Sequence, residues 1–198
     1  MAHPKQSTID FFNSKAGDWD SYTTDKDLKD IRSICSRIPF AESDRVLDVG
    51  CGTGILVPFL LERGVDVENI TAMDVSAAMI EILKRKHGGV RAVCGDFEKH
   101  GFSPSAFDKV IIYNAFPHFF DPARVIFNAF SCLKSPGLFV VAHSMNRRDL
   151  DAFHAGVEGA VSSHRLISDG EFEALLKAAG FGDVAIEDGN SFYLEAVK

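Results

Sequence analysis

Cysteine is scarce in this chain of 198 residues, with four in all, and none stands in a C-x-x-C pair. Cys35, Cys51, Cys94 and Cys132 are separated by 16, 43 and 38 positions. That spacing excludes a zinc knuckle, a thioredoxin-type redox pair and a small disulfide scaffold. No apolar stretch approaches the roughly 18 residues that a membrane span needs. The first residues, Met-Ala-His-Pro-Lys-Gln-Ser, contain no apolar core of a signal peptide, so a reduced, cytoplasmic protein is expected. Basic residues are outnumbered, 21 against 28, and the net charge is −7. A basic footprint for nucleic acid is therefore missing. The short run Lys84-Arg85-Lys86-His87 reads as a helix end, where cations suit the dipole. Internal repeats, low-complexity tracts and Pro/Gly/Ser linkers are also missing, and the length suits one domain with a sizeable core.

What the chain does contain is alternation. Strands are expected at Arg45–Val49, Asn69–Met73, Val90–Val93, Phe107–Tyr113 and Gly137–Ala142. Helices are expected at Ile55–Arg63, from a Ser76 cap to Lys86, and at Pro122–Leu133. Uninterrupted apolar runs mark strands buried on both faces, hence a parallel sheet of the α/β class. The ending differs. Ser168-Asp-Gly-Glu171 is a capping box for a helix that stops at Gly180, and two strands around Asp188-Gly189 then form a hairpin. Two helices, Ile9–Trp19 and Lys26–Ile38, precede the first strand. The chain thus divides into an N-terminal helical lid (1–43), a ligand-binding core (44–143), a substrate-side insertion (144–166) and a terminal helix with hairpin (167–198).

Asp48-Val-Gly-Cys-Gly-Thr-Gly54 joins the first strand to its helix. Its glycines permit a sharp turn and close approach of a ligand to the backbone. A dinucleotide site wants G-x-G-x-x-G, whereas this loop is G-x-G-x-G with Asp48 two positions ahead. Asp48 repels an anion and welcomes an amino group. Three further polar residues end the next three strands, on the edge where open α/β sheets bind ligands. Asp74 can accept both hydroxyls of a ribose. Asp96 can accept from an adenine amino group, with Phe97 flanking the ring, and Asn114 ends the fourth strand on the same side.

In order, V-L-D-V-G-C-G-T-G (46–54), A-M-D-V-S (72–76), G-D-F (95–97), F-D-K-V-I-I-Y-N (107–114) and L-K-S-P-G-L-F-V-V (133–141) resemble the motifs of class I S-adenosylmethionine-dependent methyltransferases. The likeness is strongest to the small-molecule "type 11" group and covers residues 40–143. It implies a Rossmann-like, seven-stranded, mostly parallel sheet of order 3-2-1-4-5-7-6, with an antiparallel last strand and helices on both faces. It also implies Gly50, Cys51 and Gly52 along the methionine part of the cofactor, Asp48 near its amino group, Asp74 at the ribose, and Val75 and Met79 beside the adenine. The loop Tyr113-Asn-Ala-Phe-Pro-His118 is more aromatic than in many relatives.

The expected activity is methyl transfer to a small, partly apolar acceptor. A non-catalytic S-adenosylmethionine or S-adenosylhomocysteine-binding module and a nucleotide-linked oxidoreductase are the alternatives. Phe11, Phe12, Trp19, Tyr22, Phe116, Phe119, Phe120 and Phe153 border the strand ends and form a candidate substrate lid. His118 and His143 follow the fourth and fifth strands, so one is expected to act as general base and the other to orient the acceptor. His154 and His164 read more simply as loop residues. No close-spaced histidine pair marks a metal site, and none is expected. The partner is a small-molecule acceptor, not nucleic acid or membrane, and the chain is a monomer or homodimer.

Overall fold

The computed structural model describes residues 4–157 and 159–198. Seven strands form one sheet in the order β3-β2-β1-β4-β5-β7-β6. They are β1 (Val46–Val49), β2 (Ile70–Asp74), β3 (Arg91–Cys94), β4 (Phe107–Tyr113), β5 (Leu133–His143), β6 (Gly182–Asp188) and β7 (Phe192–Val197). The pairs β1–β2, β1–β4, β2–β3 and β4–β5 are parallel, and β7 runs antiparallel to both β5 and β6. The sheet expected from the motifs is the sheet observed.

Side chains alternate across a strand, so each central strand feeds two cores. Leu47, Val49, Val110, Ile112, Phe139 and Val141 face one side, against α5 (Pro122–Cys132), α6 (Arg147–Gly156) and α7 (Asp169–Ala179). Val46, Ile111, Tyr113, Val140 and Ala142 face the other, against α2 (Asp25–Arg37), α3 (Val57–Glu62) and α4 (Ala77–Lys86). Burial on both faces holds for β1, β4 and most of β5. It does not hold for β3, which is half-exposed, or for β6, which is mostly exposed, because both lie at sheet edges.

The caps follow the sequence. Ser76 Oγ accepts from Met79 N at the start of α4. Ser168 and Glu171 form the reciprocal capping box of α7, and Gly180 ends it at φ 106°. Three segments depart from expectation. β5 starts at Leu133 and contains an irregular step between Phe107↔Leu133 and Lys109↔Leu138, so its apolar run was legible only from Gly137. The insertion contains α6, with Asn146 as N-cap and Leu150 and His154 buried four residues apart. At the N-terminus, α1 (Pro4–Lys15) gives way to a 3₁₀ segment (Ala16–Tyr22). Among the described residues no helix is long and apolar enough to cross a membrane.

Candidate active site

The carboxyl ends of β1 and β2 are joined by backbone. Gly50 N and Cys51 N donate to Met73 O at 2.8 and 3.1 Å, which lays the glycine loop over the tip of β2. Gly50 and Gly52 have φ of 72° and 52°, and a Cβ at position 50 would overlap Ala115. Only glycine fits there without strain. Gly52 N–H donates to Asp74 Oδ2 at 2.9 Å, and Ser76 N–H donates to Asp74 Oδ1 at 2.8 Å. Two backbone amides thus aim the Asp74 carboxylate.

Asp48 is 1% exposed, and its Oδ2 has no hydrogen-bond partner. Burial, then repulsion from Asp74, raises its pKa to about 8. A buried, unpartnered carboxylate costs free energy unless a cation or donor reaches it. Burial, then the two aspartates, pushes the Cys51 thiol beside it far up, so it stays protonated near neutral pH. This pair of acceptors fits a ligand carrying an amino group beside the loop and hydroxyls beside Asp74.

Other expected ligand residues are placed differently. Val75 is partly exposed just beyond Asp74, while Met79 is buried beneath the Ser76 cap. Asp96 accepts an ion pair from Lys5 Nζ at 2.7 Å, and Lys5 also bridges to Glu98. Phe97 is not at the crevice surface: it is buried in the core beside Phe102, with its carbonyl held by Asn128 Nδ2 at 2.6 Å. Asn114, at φ 52°, is exposed, and its Oδ1 accepts from Ser144 N at 2.9 Å, which ties the ends of β4 and β5 together.

The N-terminal segment lies across the glycine loop. Asp20 Oδ1 accepts from Thr53 Oγ1 at 2.5 Å, and Asn13 Oδ1 accepts from Ser76 Oγ at 2.7 Å. A Cβ on Gly52 would stand 3.5 Å from Trp19 Nε1. Phe12 contacts both Phe11 and Trp19 edge-on. Asn13, Asp20 and Ser144 went unnoticed in the sequence, because each acts through a partner at least 30 positions away. The remaining aromatics separate. Phe116 is sealed in the core 4.8 Å from the Phe172 ring, Phe119 packs partly buried beside it, and Tyr22, Phe120 and Phe153 are exposed.

Beyond the ends of β4 and β5 the chemistry changes from carboxylate to imidazole. The His118 ring lies 5.1 Å from Phe12, 5.2 Å from His154 and 5.1 Å from His164. Burial, then the His164, His154 and His143 imidazoles, push its pKa well below the ordinary histidine range. His143 closes β5, is 1% exposed, and has no partner at either ring nitrogen. Burial, then His154, lowers it to about 3. His154 and His164 are lowered too, both chiefly by burial. A neutral imidazole presents a lone pair and can take a proton from a substrate. Among the described residues no group of three His, Cys, Asp or Glu side chains is arranged to hold a metal ion.

The sheet order and an acid-bearing glycine loop fit an α/β protein that binds a nucleoside ligand carrying an amino group. Comparison with known proteins agrees. The methyltransferase-domain family model (type 11) matches residues 47–141. A ubiquinone biosynthesis O-methyltransferase of Xylella fastidiosa is 30% identical over 178 residues, covering 84% of this chain and 70% of the relative. Among solved structures, an S-adenosylmethionine-dependent methyltransferase of Thermotoga maritima superposes with a TM-score of 0.75 at 18% identity, covering 99% and 100% of the two chains. A Haemonchus contortus phosphoethanolamine N-methyltransferase in complex with S-adenosylmethionine gives 0.79 at 16% identity, covering 100% of this chain and 60% of that one. The chain belongs to the class I S-adenosylmethionine-dependent methyltransferases. It is an enzyme, and S-adenosylmethionine is its cofactor.

Proposed function

We propose that the protein transfers a methyl group to the hydroxyl of a small, partly apolar acceptor, with His118 as general base. Bound cofactor supplies a methyl group on a positive sulfur, already activated for displacement. The chain's own residues have three tasks: to hold the cofactor, to align the acceptor, and to receive the proton the acceptor loses. Asp48, Gly50, Cys51, Gly52 and Asp74 hold the methionine and ribose parts, with Val75, Met79 and Asp96 toward the adenine. Phe11, Phe12, Trp19 and Phe119 exclude water from the acceptor side. His143, with two unpartnered ring nitrogens, is the group left to orient the acceptor.

The observation that carries this reading is the neutral His118 imidazole beyond the end of β4, edged by Phe12 of the N-terminal segment. A neutral base is needed for a hydroxyl, which attacks poorly while it keeps its proton. The O-methyltransferase at 30% identity supports an oxygen acceptor. The net charge of −7 supports a small molecule rather than nucleic acid.

A screen of small phenols, alcohols, thiols and amines with methyl-labelled cofactor tests it. Label is expected on a phenolic or alcoholic oxygen. Label only on nitrogen or sulfur overturns the assignment of the acceptor.

A further inference from the structure

Two of the imidazoles at the acceptor edge are bonded to each other. His118 Nδ1 and His164 Nδ1 lie 2.8 Å apart, although 46 positions separate them in the chain. A bond between two ring nitrogens requires a proton on one and a lone pair on the other. Two imidazolium rings cannot share it, because two N–H groups would then face each other. The pair therefore takes up at most one proton beyond its neutral state. It behaves as a single base.

His164 is itself fixed. His154 Nδ1 lies 2.8 Å from the His164 carbonyl oxygen, which can only accept, so this nitrogen carries the His154 proton. His154 sits on the buried face of α6, and its bond ties the residue 161–164 turn to that helix. The Phe120 ring edges His164 at 5.6 Å, and Phe12 edges His118 from α1. Arg165 follows His164 and acts on it electrostatically; its Nη1 donates to the Ser162 and His164 carbonyls and its Nε lies 3.6 Å from Asp151. Lys5 is engaged by Asp96 and Glu98. His143, from β5, is the remaining titratable neighbour, and like the others it is held neutral by burial. Among the described residues nothing hydrogen-bonds His118 Nε2.

We infer that His164 is the positioning residue for His118: it accepts the His118 Nδ1 proton, which leaves His118 Nε2 with a bare lone pair toward the acceptor. This rests on the reading of His118 as the base. During transfer, the acceptor's proton passes to His118 Nε2 while the oxygen's electron pair forms the new bond to the methyl carbon. The methyl–sulfur bond breaks with its electrons remaining on sulfur. The charge that arrives on His118 is shared through Nδ1–H with His164 Nδ1. After the product leaves, the proton departs from His118 Nε2 to water, and the pair is neutral again. Without His164, His118 has no partner to select its tautomer, and part of the population presents an N–H where a lone pair is needed.

The test compares His164→Ala and His164→Asn in the full chain, since an asparagine side-chain oxygen can accept where Nδ1 did. His164→Ala should lower kcat by roughly ten- to a hundredfold, below the loss from removing the base itself, with cofactor KM unchanged. His164→Asn should recover most of that rate. In ¹⁵N spectra of histidine-labelled protein, the bare-nitrogen signal of His118 Nε2 should be present in wild type and His164→Asn and averaged between tautomers in His164→Ala. A slow His118→Ala with a full-rate His164→Ala and unchanged ¹⁵N pattern overturns the pairing alone. A full-rate His118→Ala overturns the base assignment on which it rests.

Discussion

The two halves of the strand-end crevice are built from opposite chemistry. At β1 and β2, two carboxylates and a run of backbone amides are set by residues 48–54 and 74–76, close together in sequence. At β4 and β5, four imidazoles are gathered from positions 118, 143, 154 and 164, held by a strand, a helix and loops. Burial moves the two halves in opposite directions. It lifts Asp48 to about 8 and drops His143 to about 3, so both are uncharged near neutral pH in the ligand-free protein. A site that must receive a cationic amino group holds a buried carboxyl group that gives up its proton when the amino group arrives. A site that must take a proton keeps its lone pairs free.

That contrast predicts opposite pH slopes of stability. Asp48 has a raised folded pKa, so its contribution is intact below about 3.8 and is lost as pH rises toward 8. Replacing it removes that loss. Asp48→Asn should stabilise the ligand-free chain by about 2 kcal/mol at pH 8, the ionisation cost offset in part by a buried amide lacking a partner. The advantage should shrink toward pH 4. Calorimetry in buffers of different ionisation enthalpy should also show proton release on S-adenosylhomocysteine binding near pH 7, and none in the variant. Equal proton release in both would break the link between Asp48 and the amino group.

His143 runs the other way. Its folded pKa is depressed, so its stability is present above about 6.5 and is lost as pH falls toward 3. His143→Leu keeps a side chain of similar reach and abolishes that loss. Thermal unfolding of the variant and wild type should diverge below pH 6.5, by about 1 kcal/mol for the first pH unit. Parallel curves would mean that His143 is no more buried in solution than an ordinary surface histidine.

The same contrast explains how much could be read from the sequence. The cofactor half was legible because short motifs fix it: Asp48 and the glycines share one turn, and Asp74 closes the neighbouring strand. The apolar runs pointed to a parallel α/β sheet, and its strand order came from the family resemblance that those motifs carry. The acceptor half was legible only in part. His118 and His143 could be placed because each follows a strand, whereas His154 and His164 read as loop residues. Their meeting depends on α6, whose buried face is only Leu150 and His154, too little for periodicity to show. Phe97 and Phe116 show a second limit. Each lies three residues beyond the end of a strand, yet both side chains turn into the core beneath α5 and α7, and a motif does not say which way a ring points.

The central claim is a division of labour: carboxylates and amides hold the cofactor, and imidazoles handle the proton. The most direct measurement pairs Asp74→Ala with His118→Ala, reading S-adenosylhomocysteine affinity by calorimetry and methylation by single turnover. Asp74→Ala should weaken affinity by about 1–3 kcal/mol through hydroxyls left without their acceptor. His118→Ala should keep wild-type affinity and lose about 10²–10⁴-fold in rate. A His118→Ala variant that binds as weakly as Asp74→Ala, or that turns over at the wild-type rate, would contradict the account.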